Sequence, residues 1–159
     1  MRTLAALLLL TTGALAGDLP DPELTPGVVR SEPSLNEICS AKWGKDARAV
    51  TAAMKCEAFR PYGYSGNDDP RCDNANSRTQ RCEIDHRMPR ELGGADDLRN
   101  IWPQPYFGTW NAHRKDRLEN LIHRKVCARE LTLEEGQAIF LGDWTQAYRK
   151  YLGEAGAMR

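Results

Sequence analysis

Asp85 and His86 set two side chains of complementary chemistry next to each other. A carboxylate binds hard cations, and an imidazole titrating near neutrality exchanges protons with water. The pair lies in the run Cys82-Glu83-Ile84-Asp85-His86-Arg87-Met88-Pro89, which reads as a short strand reaching to Met88. Neighbouring strand residues face opposite ways, so the two groups take different tasks: one holds a metal while the other acts as a base. An isolated Asp-His pair is most often ordinary surface. The residues downstream of this one make it a candidate.

After the turn Leu92-Gly93-Gly94 comes Asn100, in a second short apolar run. A helical pattern then opens with Trp110-Asn111-Ala112-His113, continuing through Lys115-Asp116, Glu119 and His123. In this order the residues resemble the HNH endonuclease family, the ββα-metal nucleases, in a secreted or phage-associated branch. The stretches EIDHRMPRELGG, ADDLRNIWPQ and WNAHRKDRLENLIHRKVC carry the resemblance, over about residues 82 to 127. A weaker similarity extends to SLNEICSAKWGKDARAVTAAMK.

The resemblance implies an α+β fold. Its core is a β-hairpin and a helix around one divalent metal ion, surrounded by additional α-helices. It implies that His86 is the general base and that Asn100 orients it, through side chain or backbone. It makes Asp85 the carboxylate ligand of the metal. The second protein ligand in the family is an Asn or His near the helix start. Asn111 is preferred here over His113, although the spacing from Asn100 is a residue or two longer than in compact members. Oxygen ligands suit Mg²⁺ or Mn²⁺, and imidazole also admits Zn²⁺ or Ni²⁺. The implied reaction is hydrolysis of a nucleic-acid phosphodiester leaving a 5′ phosphate, with DNA favoured over RNA.

Arg87, Arg90, Arg114 and Lys115 are candidate phosphate contacts as a set, although any one of them alone reads as a surface charge. Lys115, Glu119 and His123 recur every four residues, which reads as a salt-bridge stripe with a partly buried histidine. Trp102 and Trp110 read as packing around the hairpin before base stacking.

These residues need elements to position them. Ser34, with Glu37 three residues on, starts a short helix that Gly44 breaks. Asp46 is the expected cap of a second helix reaching about Phe59, stopped by Pro61. Residues 61–80 are rich in Asn, Asp and Gly and form a loop. Leu98 to Trp102 is the expected second strand, ended by Pro103 and Pro105. A helix is predicted from about Asn111 to Ala128, with Leu118, Leu121, Ile122 and Val126 apolar. Thr132 and Glu135 form a capping box that opens one last helix, 132–152. The domain therefore spans 34–159, with N-terminal helices at 34–60 and the catalytic core at 81–127.

Before it lie two other segments. Met1-Arg2, the apolar run Leu4 to Leu10 and Ala14-Leu15-Ala16 read as a secretory signal peptide, residues 1–16. Residues 17–33 hold Pro20, Pro22, Pro26 and Pro33 and read as an extended leader. The expected location is secreted or periplasmic after cleavage near Ala16. No apolar run reaches the roughly 18 residues of a membrane span, so no stable membrane association is expected. The chain is expected to be a monomer.

An oxidising compartment makes disulfides the default for the five cysteines, and no Cys-x-x-Cys pair supports a zinc ribbon. Cys72 with Cys82 suits a local bridge, and Cys39 with Cys127 would tie the N-terminal region to the C-terminal helices. Cys56 is then the odd one.

Over its 159 residues the chain carries 22 Lys+Arg against 22 Asp+Glu. That neutrality argues at first against a nucleic-acid partner. It is an average: residues 81–129 hold 10 basic and 7 acidic groups, a balance of +3, within a mature chain at −1. Two other classes compete with a nuclease. One is a nucleic-acid- or partner-binding module that keeps the fold without cleavage. The other is a disulfide-stapled extracellular structural protein.

Overall fold

The computed structural model describes residues 19–43, 48–63 and 82–154. Its elements in chain order are α1 (Leu35–Ser40), α2 (Ala52–Phe59), β1 (Cys82–His86), β2 (Ile101–Pro105), α3 (Ala112–Cys127), α4 (Leu133–Leu141) and α5 (Trp144–Leu152). The class is mixed α+β, with helices around one antiparallel hairpin.

β1 and β2 pair from Cys82 opposite Pro105 to His86 opposite Ile101. The second strand starts later than the sequence suggests. Leu98–Asn100 forms a 3₁₀ turn capped by Asp97, which accepts the Arg99 N–H. Pro103 and Pro105 lie inside the strand and do not end it. Strand N–H groups point to alternate edges, so the two prolines share one edge. With β1 as the only strand partner among the described residues, that is the outer edge, where no ladder bond is lost.

α3 is the central helix. Asn111 caps it by accepting the Arg114 N–H, and Leu118, Ile122 and Val126 form its buried stripe. That stripe packs with Met88, Leu92, Phe140, Trp144 and Tyr148 in the main core. Full burial of each such side chain is worth about 1.5–3 kcal/mol. A smaller cluster of Phe59, Tyr62, Cys82 and Trp102 joins α2 to the hairpin.

The predicted last helix is two. The Thr132–Glu135 capping box starts α4, but the chain turns extended at Gly142, and Asp143 caps α5 by accepting the Thr145 N–H. α4 lies close to α3 at Gly136, where a Cβ would come within 2.8 Å of Val126 Cγ2.

At the N-terminal side, Ser34 caps α1 as expected, while the Glu37 carboxylate pairs with Arg30 and leaves the box half made. α2 starts at Ala52 under a Thr51 cap, five residues beyond the expected cap Asp46, which lies outside the described residues. The described part of the proline-rich segment turns at 21–25, where Thr25 N–H donates to Asp21 O, and then docks against the rest of the chain. Arg30 N–H donates to Gly93 O, Ala95 N–H to Val28 O, and Gly27 N–H to Arg99 O. Thr25 within it is buried.

Cys39 and Cys127 form a disulfide across a sequence separation of 88, fastening α1 to the end of α3. Cys72 lies outside the described residues, as do the signal-peptide segment and most of the 61–80 loop. Cys56 is half-buried on α2. Among the described residues no helix is long and apolar enough to cross a membrane.

Candidate active site

β1 ends at His86, a residue 5% exposed. Its Nε2 lies 2.7 Å from Asp96 Oδ1. Burial would raise the Asp96 pKa, but the Ala49 N–H, His86 and Arg90 together hold it below the ordinary carboxylate value. An ionised carboxylate only accepts, so Nε2 carries the ring proton and Nδ1 is the basic nitrogen. Burial also lowers the His86 pKa, against the pull of Asp85 and Asp96. The imidazole is therefore neutral near pH 7 and able to take a proton.

The loop between the strands delivers Asp96. Gly93 adopts φ +92°, a left-handed conformation that favours glycine. At Gly94 a Cβ would sit 1.9 Å from Met88 O, so the backbone closes there only on glycine. Asn100 fastens the loop from inside. Its Oδ1 accepts the N–H groups of Met88 and Val28, and its Nδ2 donates to the carbonyls of Met88 and Ala95. Its own carbonyl accepts the Arg87 N–H. The side chain expected to orient His86 therefore acts at one remove, by holding Ala95, while its neighbour Asp96 makes the bond.

Asp85 meets a buried cation. Lys115 Nζ, fully enclosed, donates to Asp85 Oδ2 at 2.6 Å, to His86 O at 2.7 Å, and to Glu119 Oε1. Burial opposes the lysine charge, but the two carboxylates more than offset it and raise its pKa. The Lys115–Glu119 pair is the i,i+4 bridge expected on this helix face.

Asp85, His86, Glu91, Glu119 and Arg90 line one cleft of 230 Å³. Trp43 and Arg48, from the region after α1, line it too. Burial raises the pKa of both Glu119 and Glu91. Glu91 Oε1 is buried and has no hydrogen-bond partner among the described residues. A divalent cation would let these carboxylates ionise together, and an orphaned buried oxygen is a ready donor for it. By its chemistry the acidic set suits a hard metal ion, although Lys115 Nζ already bonds two of its carboxylates, Asp85 and Glu119.

The other sequence candidates are placed elsewhere. Asn111 is the α3 cap, with Oδ1 on Arg114 N–H and Nδ2 on Gly108 O. His113 is exposed and stacks on Tyr106 at 4.8 Å between centroids. Neither lines the cleft; the carboxylates beside Asp85 there are Glu91 and Glu119. Arg87 is buried, and its guanidinium binds the carbonyls of Thr25, Phe140 and Leu141, so it braces α4 rather than a phosphate. Arg114 is buried and donates to Thr109 O. Lys115 is enclosed between its two carboxylates. Of the four expected phosphate contacts, Arg90 alone lines the cleft. Trp102 is wholly buried in the core, as the packing reading expects, and Trp110 meets Trp144 and Tyr148 edge-on.

Among the described residues, the three metal-capable atoms that lie within 4.8 Å of one another belong to Cys39, His123 and Cys127. The two sulfurs are joined to each other, so no thiolate pair exists there to bind a cation.

No family model, curated protein or solved structure matches the chain.

Proposed function

We propose that the chain is a metal-dependent endonuclease of the HNH type, hydrolysing phosphodiester bonds in nucleic acid. The observation that carries this reading is His86, held by Asp96 at 2.7 Å on the floor of a cleft that Asp85 shares. Each part has a role in such a reaction. Nδ1 of His86 takes a proton from the attacking water. Asp96 keeps the ring in one tautomer and stabilises the imidazolium that forms. Asp85, Glu119 and Glu91 are the residues that would hold the metal. A divalent ion bound there supplies positive charge to the scissile phosphate and the leaving oxygen. Arg90 meets a neighbouring phosphate.

The proposal includes export through residues 1–16, with DNA the favoured substrate and RNA the alternative. Purified protein supplied with Mg²⁺ or Mn²⁺ is expected to cut DNA when single-stranded DNA, plasmid and structured RNA are each offered, and excess chelator to stop it. His86→Ala is expected to slow cleavage by roughly 10²–10⁴-fold with its melting temperature kept. A variant that cuts at the parent rate removes His86 as the base, and full activity in chelator removes the metal.

A further inference from the structure

We propose that Trp43 and Arg48 form a nucleotide subsite of this cleft, so that the substrate enters as an unpaired strand. The inference rests on the nuclease reading of the same cleft and adds the class of nucleic acid.

Trp43 differs from the other three tryptophans. Trp102 and Trp144 are sealed in the core, at 0% and 1% exposure. Trp110 is partly exposed too, but its ring is packed against Trp144, Tyr148 and the Arg149 guanidinium, 4.7 Å from its centroid. Trp43 is half-exposed and lines the cleft that holds His86 and Asp85. Its indole N–H is already satisfied by Ile38 O at 2.8 Å, and its aromatic neighbour His123 meets it at 84°. The ring is thus anchored by its polar end, and His123 does not stack flat on it. The Cys39–Cys127 bridge, four residues before it, fixes the segment that carries it. A rigid aromatic wall bears little ordering cost when a flat group stacks on it.

The chemistry beside it selects the flat group. Arg48 is exposed at the same cleft and Arg90 lines it as well. An aromatic face next to guanidinium groups and a proton-accepting imidazole suits a nucleobase joined to its phosphate. The size of the recess restricts how that nucleotide arrives. At 230 Å³ it is smaller than the roughly 300–1,000 Å³ of drug-sized sites, and His86 is only 5% exposed within it. A base stacked inside a duplex cannot turn onto a wall of such a recess, whereas an unpaired base can.

Direct binding to the His86→Ala protein, in Mg²⁺, tests the subsite without turnover. Cleavage by the parent protein separately decides the nuclease reading. Single-stranded oligothymidylate is expected to quench tryptophan fluorescence of His86→Ala, and an equal length of duplex is expected neither to quench nor to compete. Adding Trp43→Phe is expected to abolish the quench and weaken binding about 10-fold, the order of one stacked base. Adding Arg48→Ala, at an exposed position, is expected to weaken binding and lower the salt slope by about one ion. Persistence of the quench without Trp43, equal affinity for duplex, or unchanged binding in Arg48→Ala would each overturn the proposal. Should Trp43→Phe fail to fold, the Arg48 and duplex arms decide it.

Discussion

His86 and Asp96, ten residues apart, are joined Nε2 to Oδ1 at 2.7 Å. The bond selects the ring nitrogen that stays basic, and it comes from a residue with no strand or helix of its own. Asp96→Asn keeps an acceptor of the same shape but removes the charge that stabilises the imidazolium. Turnover on single-stranded DNA is expected to fall by about 10²-fold or more, with little change in melting temperature. Parent-level turnover would mean that another group sets the histidine.

Lys115 is the shared counter-ion of Asp85 and Glu119, with no exposure to solvent. Lys115→Met leaves two carboxylates facing each other without it. The expected loss is about 3–5 kcal/mol of unfolding free energy, read by urea denaturation in the absence of divalent ions. A loss under about 1 kcal/mol would show that water enters and replaces the ammonium.

Gly94→Ala would force a Cβ into the Met88 carbonyl, 1.9 Å away. That contact is backbone, so the loop itself must move and carry Asp96 with it. Stability is expected to drop by at least about 1–3 kcal/mol, and cleavage to fall further than the folded fraction does. Equal losses in both would mean that the strain is relieved away from Asp96.

Gln104 is fully buried on β2, and neither amide atom has a hydrogen-bond partner among the described residues. Each unsatisfied buried polar group costs roughly 1–3 kcal/mol. Gln104→Met has similar volume and no such groups. It is expected to raise unfolding free energy by about 1–2 kcal/mol. Destabilisation would reveal a partner for the amide.

The features legible along the chain are those that depend on neighbours in sequence. The Thr132 capping box and the α3 stripe are local; the box is present, and of the stripe Leu118, Ile122 and Val126 are buried while Leu121 is only partly so. Lys115 stands three residues before Leu118 on that stripe, so its burial is implicit there, although its charge suggests a surface role. Pro103 and Pro105 mislead because a proline stops only strands that need its N–H, and the outer edge of a two-stranded sheet does not. Gly142 separates α4 from α5 where aromatic spacing suggests one continuous helix. Asp96, Glu91 and Trp43 do not stand out in the sequence, because their roles arise from closure of a loop and from a bridge between distant helices. The Asp-Asp pair does hold one hint. Asp97 is occupied in capping, which leaves Asp96 for another task.

The bridge between Cys39 and Cys127 makes the intervening chain a closed covalent ring, and Trp43, Asp85, His86, Glu91, Asp96 and Glu119 all lie on it. A protease that cuts this ring once releases no fragment. The two pieces stay tethered, run as one species until a reductant is added, and keep every cleft residue on the same molecule.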